Sequence, residues 1–340
     1  MVDVSIIIVA WNVRQLLYDC LKSVYEQTKG IDFEVIYVDN ASEDGSVEMV
    51  RKEFPAIRII QNDRNEGFIK ANNRGIKVAM GRYVLLLNSD TLILDNAIAK
   101  MVKFADLHPE AAIVGCKVLA SNRTLQESCF TCPSVLSMLL SATYLYKLFP
   151  KSKFFGREYM TWWDYDNARE VEAIAGVCSL VRKEAIQQVG LMNELYFVYG
   201  DDPDWCYRFR KKGWQIFFTP EAQIIHFGGD TVKRVSSEFM LQLHGSKLIF
   251  MKLHRTKLAF PIACFLTALF FFSRLPYWLI IALFRKDSRK RSIATAKTYF
   301  VGGCYSLASW KSLLMNKQTV EERLRKEILK TSVLSTSTQE

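Results

Sequence analysis

The 340-residue chain has only four histidines and eight prolines, and the two commonest phosphate-binding signatures are missing altogether. No GxGxxG and no GxxxxGK[ST] occurs, so dinucleotide and P-loop readings lose their support. Cysteine is present but unorganised, at positions 20, 116, 129, 132, 178, 206, 264 and 304. Only Cys129 and Cys132 make a CxxC, with neither a second pair nor a neighbouring histidine to complete a zinc site. Free thiols in a reducing cytoplasm are therefore expected. A secretory signal is not expected either: Asp3 comes early, no basic segment precedes the first apolar run, and that run (6–10) is short. Acids are scarce in the C-terminal third, where residues 231–340 carry 19 Lys/Arg against 6 Asp/Glu. The net charge of +10 therefore belongs to that third, and the first 230 residues are slightly acidic. No nucleic-acid motif accompanies the charge, so no nucleic-acid partner is expected. Basic charge beside apolar runs points instead to an anionic membrane surface.

What the chain does have is alternation. Residues 5–11 (SIIIVAW) form an apolar, β-branched run that fits a buried strand, and 13–28 show helical spacing at Leu16, Leu17, Cys20, Leu21 and Val24. A second strand, FEVIYVDN (33–40), ends on Asp39-Asn40, and 42–45 reads as the opening of a helix with an acidic first turn. IRIIQN (57–62) is a third strand, followed by Gly67 and the Asn-rich 72–75 of another helix. YVLLLNSD (83–90) is the sharpest signal, five apolar residues stopping abruptly on Asn88-Ser89-Asp90. A helix at 95–107 and a strand at 111–119 continue the pattern, which is that of a Rossmann-like α/β sheet. Residues 171–186 read as strand, small-residue turn, strand and helix. A helix follows the acidic cluster at 201–204, and 216–229 reads as strand, turn, strand ending on His226.

Two apolar stretches fall outside that alternation. Residues 133–149 fit either a core helix or a lid that touches something greasy. Residues 258–284 hold a single charge, Arg274, with prolines at 261 and 276, and are long enough to span a bilayer. Arg274 and Pro276 argue for a broken or re-entrant hairpin or an interfacial pair of helices, with a soluble helical hairpin as the other reading. The basic flanks at 255–257 and 285–291 place both ends on the cytoplasmic side. A charged helix is expected at 321–330 and a disordered tail over the last ten residues.

Four polar clusters follow apolar runs: Asp39-Asn40, Asn88-Ser89-Asp90, Asp201 to Asp204, and His226. Each has an ordinary reading, as helix cap, turn, solvated helix start or core histidine. In open α/β sheets, however, ligands bind outside the carboxyl ends of such strands. Together the clusters suggest one acid for a nucleotide, a metal site and a candidate general base. Transfer of a group from a nucleotide diphosphate needs those parts: a cation for the departing diphosphate and a carboxylate for the incoming hydroxyl's proton.

With these residues in place, the chain resembles the family-2 inverting glycosyltransferases of GT-A fold, in particular the bacterial rhamnosyltransferase-like branch. The resemblance covers about residues 4–255 and rests on SIIIVAWN, VIYVDNASEDGS, NEGFIKANNRGI, LLLNSD, VEAIAGVCSLVRKEAI, GLMNELYFVYGDDPDWCYRFRKKGW and PEAQIIHFGG. It implies a GT-A domain over 1–254, a Rossmann-like mixed sheet flanked by helices. A helical, membrane-associating region over 255–340 would follow.

The resemblance also implies roles. Ala10, Trp11, Asn12 and Asp39 would surround the nucleoside, with Asp39 on the base, and Asn65, Gly67 and Asn72 would line the donor pocket. Asn88, Ser89 and Asp90 stand at the family's reduced DxD motif, where Asp90 would bridge Mg2+ or Mn2+ to the diphosphate and His226 would be a further ligand. Asp201-Asp202 match the acidic pair, Asp202 being the general base, and Gly176 would allow close approach near the sugar. Asn88 replaces an aspartate and leaves one carboxylate fewer; Asp201 stands where glutamate is usual; Pro203 replaces an apolar residue in a helical first turn that tolerates it. No QxxRW motif of processive relatives occurs, which favours single addition. The expected partners are a dTDP- or UDP-sugar, a polyprenyl-diphosphate-linked saccharide acceptor and the cytoplasmic face of a bacterial inner membrane. Two other readings stand beside this one, a polyprenyl-phosphate glycosyltransferase and a catalytically silent sugar-nucleotide-binding scaffold.

Overall fold

The computed structural model describes residues 2–196, 199–228, 237–285 and 288–309. The expected charged helix at 321–330 and the tail beyond it lie outside the described residues. The chain divides into two compact units, one of Met1–Cys132 with Tyr159–Lys233 and one of Pro133–Glu158 with Arg234–Glu340. The boundary expected at 254/255 thus falls inside the second unit, which also takes in residues 133–158.

The first unit opens with the strand–helix pairs that the hydrophobic spacing predicts. They are β1 (Val4–Ala10), α1 (Arg14–Gln27), β2 (Phe33–Asp39), α2 (Ser46–Glu53), β3 (Arg58–Gln61), α3 (Phe68–Val78) and β4 (Tyr83–Asn88). Then come β5 (Thr91–Leu94), α4 (Ala97–Leu107), β6 (Ala111–Leu119) and the two-residue strands β7 (Leu125–Gln126) and β8 (Cys129–Phe130). In the second unit follow α5 (Val135–Ala142) and α6 (Leu145–Leu148). The first unit resumes with β9 (Arg169–Glu170), β10 (Ala173–Ile174), β11 (Cys178–Arg182), α7 (Lys183–Val189), α8 (Asp201–Lys211) and β12 (Gln215–His226).

The main sheet has the order β3-β2-β1-β4-β11-β6-β12-β5, with β7 added to β6 and β9 to β12. Strands β3, β2, β1 and β4 are parallel, whereas β11 runs antiparallel between β4 and β6 and so makes the sheet mixed. All seven residues of β1 are buried, as its β-branched composition requires of a strand covered on both faces. Ile6 and Ile8 pack into a core with Leu17, Leu21, Val50, Ile98 and Met101 from α1, α2 and α4. Ile7 points the other way, against Gly75 of α3. Each such buried aliphatic side chain contributes about 1.5–3 kcal/mol, so the layer order follows from the pattern of the strands.

Two expectations change in detail. The helix expected to open at 42–45 begins at Ser46, behind Gly45 in a left-handed conformation (φ +78°), and the acids before it form a loop. The strand–turn–strand expected at 216–229 is one strand, β12, whose pairing with β6 slips between Thr219 and Gln223. Pro220 cannot donate to a ladder, which accounts for the irregularity there.

The second unit is helical: α5 and α6, then α9 (Ser237–His254), α10 (Ala259–Phe272), α11 (Leu275–Phe284) and α12 (Arg289–Ser309). The stretch 133–149, open between core helix and lid, resolves for α5 as core. Met138 packs with Leu248, Met251, Phe260 and Leu266, and Ala142 packs with Phe270, Phe271 and Tyr299. Residues 258–284 do break at the expected place, but they do not reverse into a hairpin. Ser273 and Arg274 keep right-handed helical dihedrals, so α11 continues α10 with a kink. Arg274 turns inward, donating to the carbonyls of Phe270 and Ser141 with its guanidinium 3.9 Å from the Tyr144 ring centre. Ala259–Phe284 is long and apolar enough to cross a membrane, by length and composition.

Candidate active site

The parallel strands bring their carboxyl ends to one edge of the sheet, and register decides which residues meet there. Ala10 pairs with Asp39, Val9 with Asn88, and Asp39 with Gln61. The candidate residues after β1, β2 and β4 therefore share one edge. Asp39 is buried; its Oδ1 accepts from the Tyr37 hydroxyl (2.7 Å) and its Oδ2 from the Ser42 amide (3.1 Å). Asn12, in a left-handed conformation (φ +53°) that asparagine tolerates, accepts from the Glu43 amide and clamps the same loop. Trp11 is half exposed beside them.

The loop after β3 is tied to this edge by Asn40, a buried side chain. Asn40 Oδ1 accepts from Asn62 (2.8 Å) and the Glu66 amide, and its Nδ2 donates to the Gly67 carbonyl (3.4 Å). Asn65 accepts from the Gly67 amide at 3.0 Å and sets the turn into α3. Asn72 is buried and spends its amide nitrogen on the Phe68 carbonyl of its own helix.

The antiparallel β11 carries the edge toward the acidic turn. The Asn88 amide donates to the Val177 carbonyl at 3.0 Å, so Gly176 lies next to the end of β4. A Cβ built at Gly176 would stand 2.5 Å from Asp202 Oδ1. Only glycine lets the Asp202 carboxyl sit there, and the Gly176 amide donates to it. Burial raises the Asp202 pKa well above the ordinary carboxylate range, and the neighbouring Asp201 charge adds to the rise. Asp201 is itself buried, and desolvation pushes it up to about 6. Asp204, in the same turn, is spent on structure. It is fully buried, bonded by Arg208 Nε at 2.8 Å, and Arg208 in turn ties the Val189 and Leu191 carbonyls. A carboxyl with a raised pKa, half-buried at the sheet edge, holds its proton more tightly than an ordinary aspartate and is a stronger base once it has lost it.

The turn after β4 meets the end of β12. Thr91 pairs with His226, the Phe227 amide donates to the Asp90 carbonyl, and Asp90 Oδ1 lies 3.4 Å from His226 Nε2. Ser89 is half exposed in the same turn. Asn88 Oδ1 is buried without a hydrogen-bond partner. A carboxylate, an imidazole nitrogen and an unspent amide oxygen are the oxygen- and nitrogen-type donors that Mg2+ or Mn2+ accepts. Among the described residues no set of three or more His, Cys, Asp or Glu converges on one point. A cation here would thus take its remaining ligands from a diphosphate or water, and the residues fit that arrangement.

The family description "Glycosyl transferase family 2" matches residues 5–189. The chain belongs to that family. An N-acetylglucosaminyl-diphospho-decaprenol L-rhamnosyltransferase of Mycobacterium tuberculosis (strain ATCC 25618 / H37Rv) is 25% identical over 232 residues, covering 64% of this chain and 74% of that protein. An O-antigen biosynthesis protein of Myxococcus xanthus is 25% identical over 225 residues, 66% of this chain but 17% of that protein. Among solved structures, GalNAc-T7 with UDP, GalNAc and Mn2+ superposes with a TM-score of 0.52 at 16% identity, over 74% of this chain and 48% of that one. That likeness is one of fold. The mixed sheet of the glycosyltransferase is accordingly of GT-A type.

Sequence reasoning singled out neither Gln126 nor Gly228 beside the candidate residues, and named Asn40 only as the neighbour of Asp39. Gln126, on two-residue β7, bonds both the ring and the carbonyl of His226. Gly228 leaves room for the Asp90–His226 pair, since a Cβ there would come within 2.6 Å of Asp90 Oδ2. Asn40 organises the loop of Asn65 and Gly67. For Gly228 the FGG after His226 was a usable signal; for Gln126 nothing local marks it.

Proposed function

We propose that this glycosyltransferase adds one sugar per acceptor with inversion, from a dTDP- or UDP-linked donor to a hydroxyl of a polyprenyl-diphosphate-linked saccharide in bacterial cell-envelope polysaccharide synthesis. Rhamnose is the favoured sugar, on the strength of the mycobacterial relative's name. The observation that carries the reading is Asp202, a carboxyl with raised pKa seated on Gly176 beside the end of β4.

In this mechanism Asp202 accepts the proton of the acceptor hydroxyl. The freed oxygen attacks the anomeric carbon, and the bond from that carbon to the diphosphate oxygen breaks on the opposite face. One nucleophile and one departure give inversion. Asp201 keeps the pKa of Asp202 high by its like charge, which suits a base working near neutrality. Asp39, Asn12 and Ala10 hold the nucleoside end, and Asn65, Gly67 and Asn88 the phosphate and sugar side. Asp90 and His226 would hold the divalent cation, which when bound neutralises charge on the departing diphosphate.

The second unit supports a lipid-linked acceptor at the cytoplasmic membrane face. Leu258, Ile262, Phe265 and Leu269 recur at helical spacing and are exposed, while Phe260, Ala263, Cys264 and Phe271 on the other side of α10 are buried. A helix that is apolar all round fits a membrane or its interface. Exposed Leu283 and Phe284 end the run just before the basic residues Arg285, Arg289, Lys290 and Arg291, a sequence of greasy then cationic groups suited to anionic headgroups.

A panel of dTDP- and UDP-sugars, assayed with lipid-linked and free saccharide acceptors with and without Mn2+, tests the proposal, with product anomers assigned by NMR. A retained configuration overturns the mechanism. Transfer onto polyprenyl phosphate alone would replace the acceptor reading, and long products would replace single addition.

A further inference from the structure

Gln126 and His226 stand far apart in the chain yet bond twice. Gln126 Nε2 donates to the His226 carbonyl at 2.9 Å, and Gln126 Oε1 lies 2.9 Å from His226 Nδ1. The first bond sets the orientation of the amide, because turning it over would press Oε1 against the carbonyl oxygen. With Oε1 facing the ring, Nδ1 must carry the hydrogen. In a neutral ring so held, His226 Nε2 offers its lone pair on the side of Asp90 Oδ1, 3.4 Å away. Two lone pairs at that range in a part-buried site draw a positive centre between them, a proton in the free protein or a cation that displaces it. Gly228 keeps the pair accessible, as any side chain there would begin 2.9 Å from His226 Nε2.

We infer that Gln126 is a positioning residue that holds His226 as the Nδ1–H tautomer, so that Nε2 and the Asp90 carboxylate form a single nitrogen–oxygen face for a divalent cation. The inference rests on the metal reading above and adds the part that aims the histidine. Strand β7 delivers the amide, since Gln126 pairs in register with Val118 of β6. Second-shell partners of this kind set ligand orientation and commonly change metal affinity by about 10- to 100-fold.

The test uses the full chain, with Mn2+ titrated by EPR and the histidine rings read by 15N–1H NMR in metal-free protein above the ring's titration. Gln126→Met is expected to weaken Mn2+ binding about tenfold or more and to move the His226 proton from Nδ1 to Nε2. Gln126→Glu keeps an oxygen toward Nδ1 but gives up the bond to the His226 carbonyl, so it should retain the Nδ1 proton and bind Mn2+ more tightly than the Met variant though less tightly than wild type. A Met variant with unchanged Mn2+ affinity and unchanged tautomer, whatever its melting temperature, overturns the inference; so does a wild-type ring protonated on Nε2 alone. Wild-type protein that binds no Mn2+ would refute the metal reading, and the tautomer comparison would then decide Gln126 by itself.

Discussion

The first unit concentrates buried polar side chains at its sheet edge and acidic turn; the second, beside its buried Arg274, concentrates exposed apolar ones. Asp39, Asn40, Asp201 and Asp204 lie inside at the sheet edge or the acidic turn, and each burial carries a cost that a partner must offset. Some are offset fully, as Asp204 is by Arg208, and some are left with raised pKa values, as Asp201 and Asp202 are. The second unit reverses the pattern. Phe265, Leu279, Ile280, Leu283 and Phe284 face outward, although a chain folding in water gains by hiding them. Chemistry is thus to be sought where polar groups are kept in, and a non-aqueous partner where apolar groups are kept out.

The strongest way to break this comparison is Asp202→Asn. Transfer should fall by about a thousandfold or more, within the range for a lost general base, while nucleotide-diphosphate affinity, read by calorimetry, stays near wild type. Substantial residual turnover would remove the sheet edge from the mechanism. Next in size is Arg208→Ala, which strands a fully buried Asp204. Urea denaturation should show a loss of about 3 kcal/mol, an effect on stability where Asp202→Asn affects rate. For the second unit, Leu283→Asp with Phe284→Asp should lower binding to anionic vesicles at least tenfold. Because both residues are largely exposed, stability should stay within about 0.5 kcal/mol of wild type. Flotation that is unaffected would leave the exposed face without its proposed partner.

The smallest effect concerns the acidic pair. With Asp202 required as the free base, the rate should rise with pH through its raised pKa. Removing the like charge in Asp201→Asn should move that acidic limb to lower pH. Stability should respond as well. The folded Asp201 pKa of about 6 exceeds the ordinary 3.8, so the folded state holds that proton more tightly. Stability therefore declines as pH rises from about 4 to about 6, and the asparagine variant should show a shallower slope in pH-dependent melting, with the share of Asp202 remaining.

Much of this was legible in advance, and unevenly. YVLLLNSD announced a buried strand and a polar end because a run of apolar residues closed by turn formers has few other uses in an α/β chain. The four strands through β4, with α1 and α3, lie where spacing put them, whereas α2 starts later than expected and α8 takes the acidic cluster in as its first turn. The resemblance singled out Asp202, but the residues alone did not separate it from Asp201 and Asp204, since three aspartates in four positions look alike until Gly176 seats Asp202 and Arg208 takes Asp204. The kink at Arg274 was read as a break, but its direction depended on the Ser141 carbonyl and the Tyr144 ring, more than 120 residues back.

By itself the sequence determined the strand–helix alternation through β4, the residues standing at those strand ends, the family and the presence of an apolar, basic C-terminal third. These properties depend on neighbours within a few positions, through side-chain periodicity and turn chemistry. Only the tertiary structure decided that Ala10 faces Asp39, that Gly176 seats Asp202, that residues 133–158 join the helical unit and that Gln126 bonds His226 beside Asp90. Those pairings are fixed by sheet register and close packing, which are settled only when segments distant in the chain are buried together.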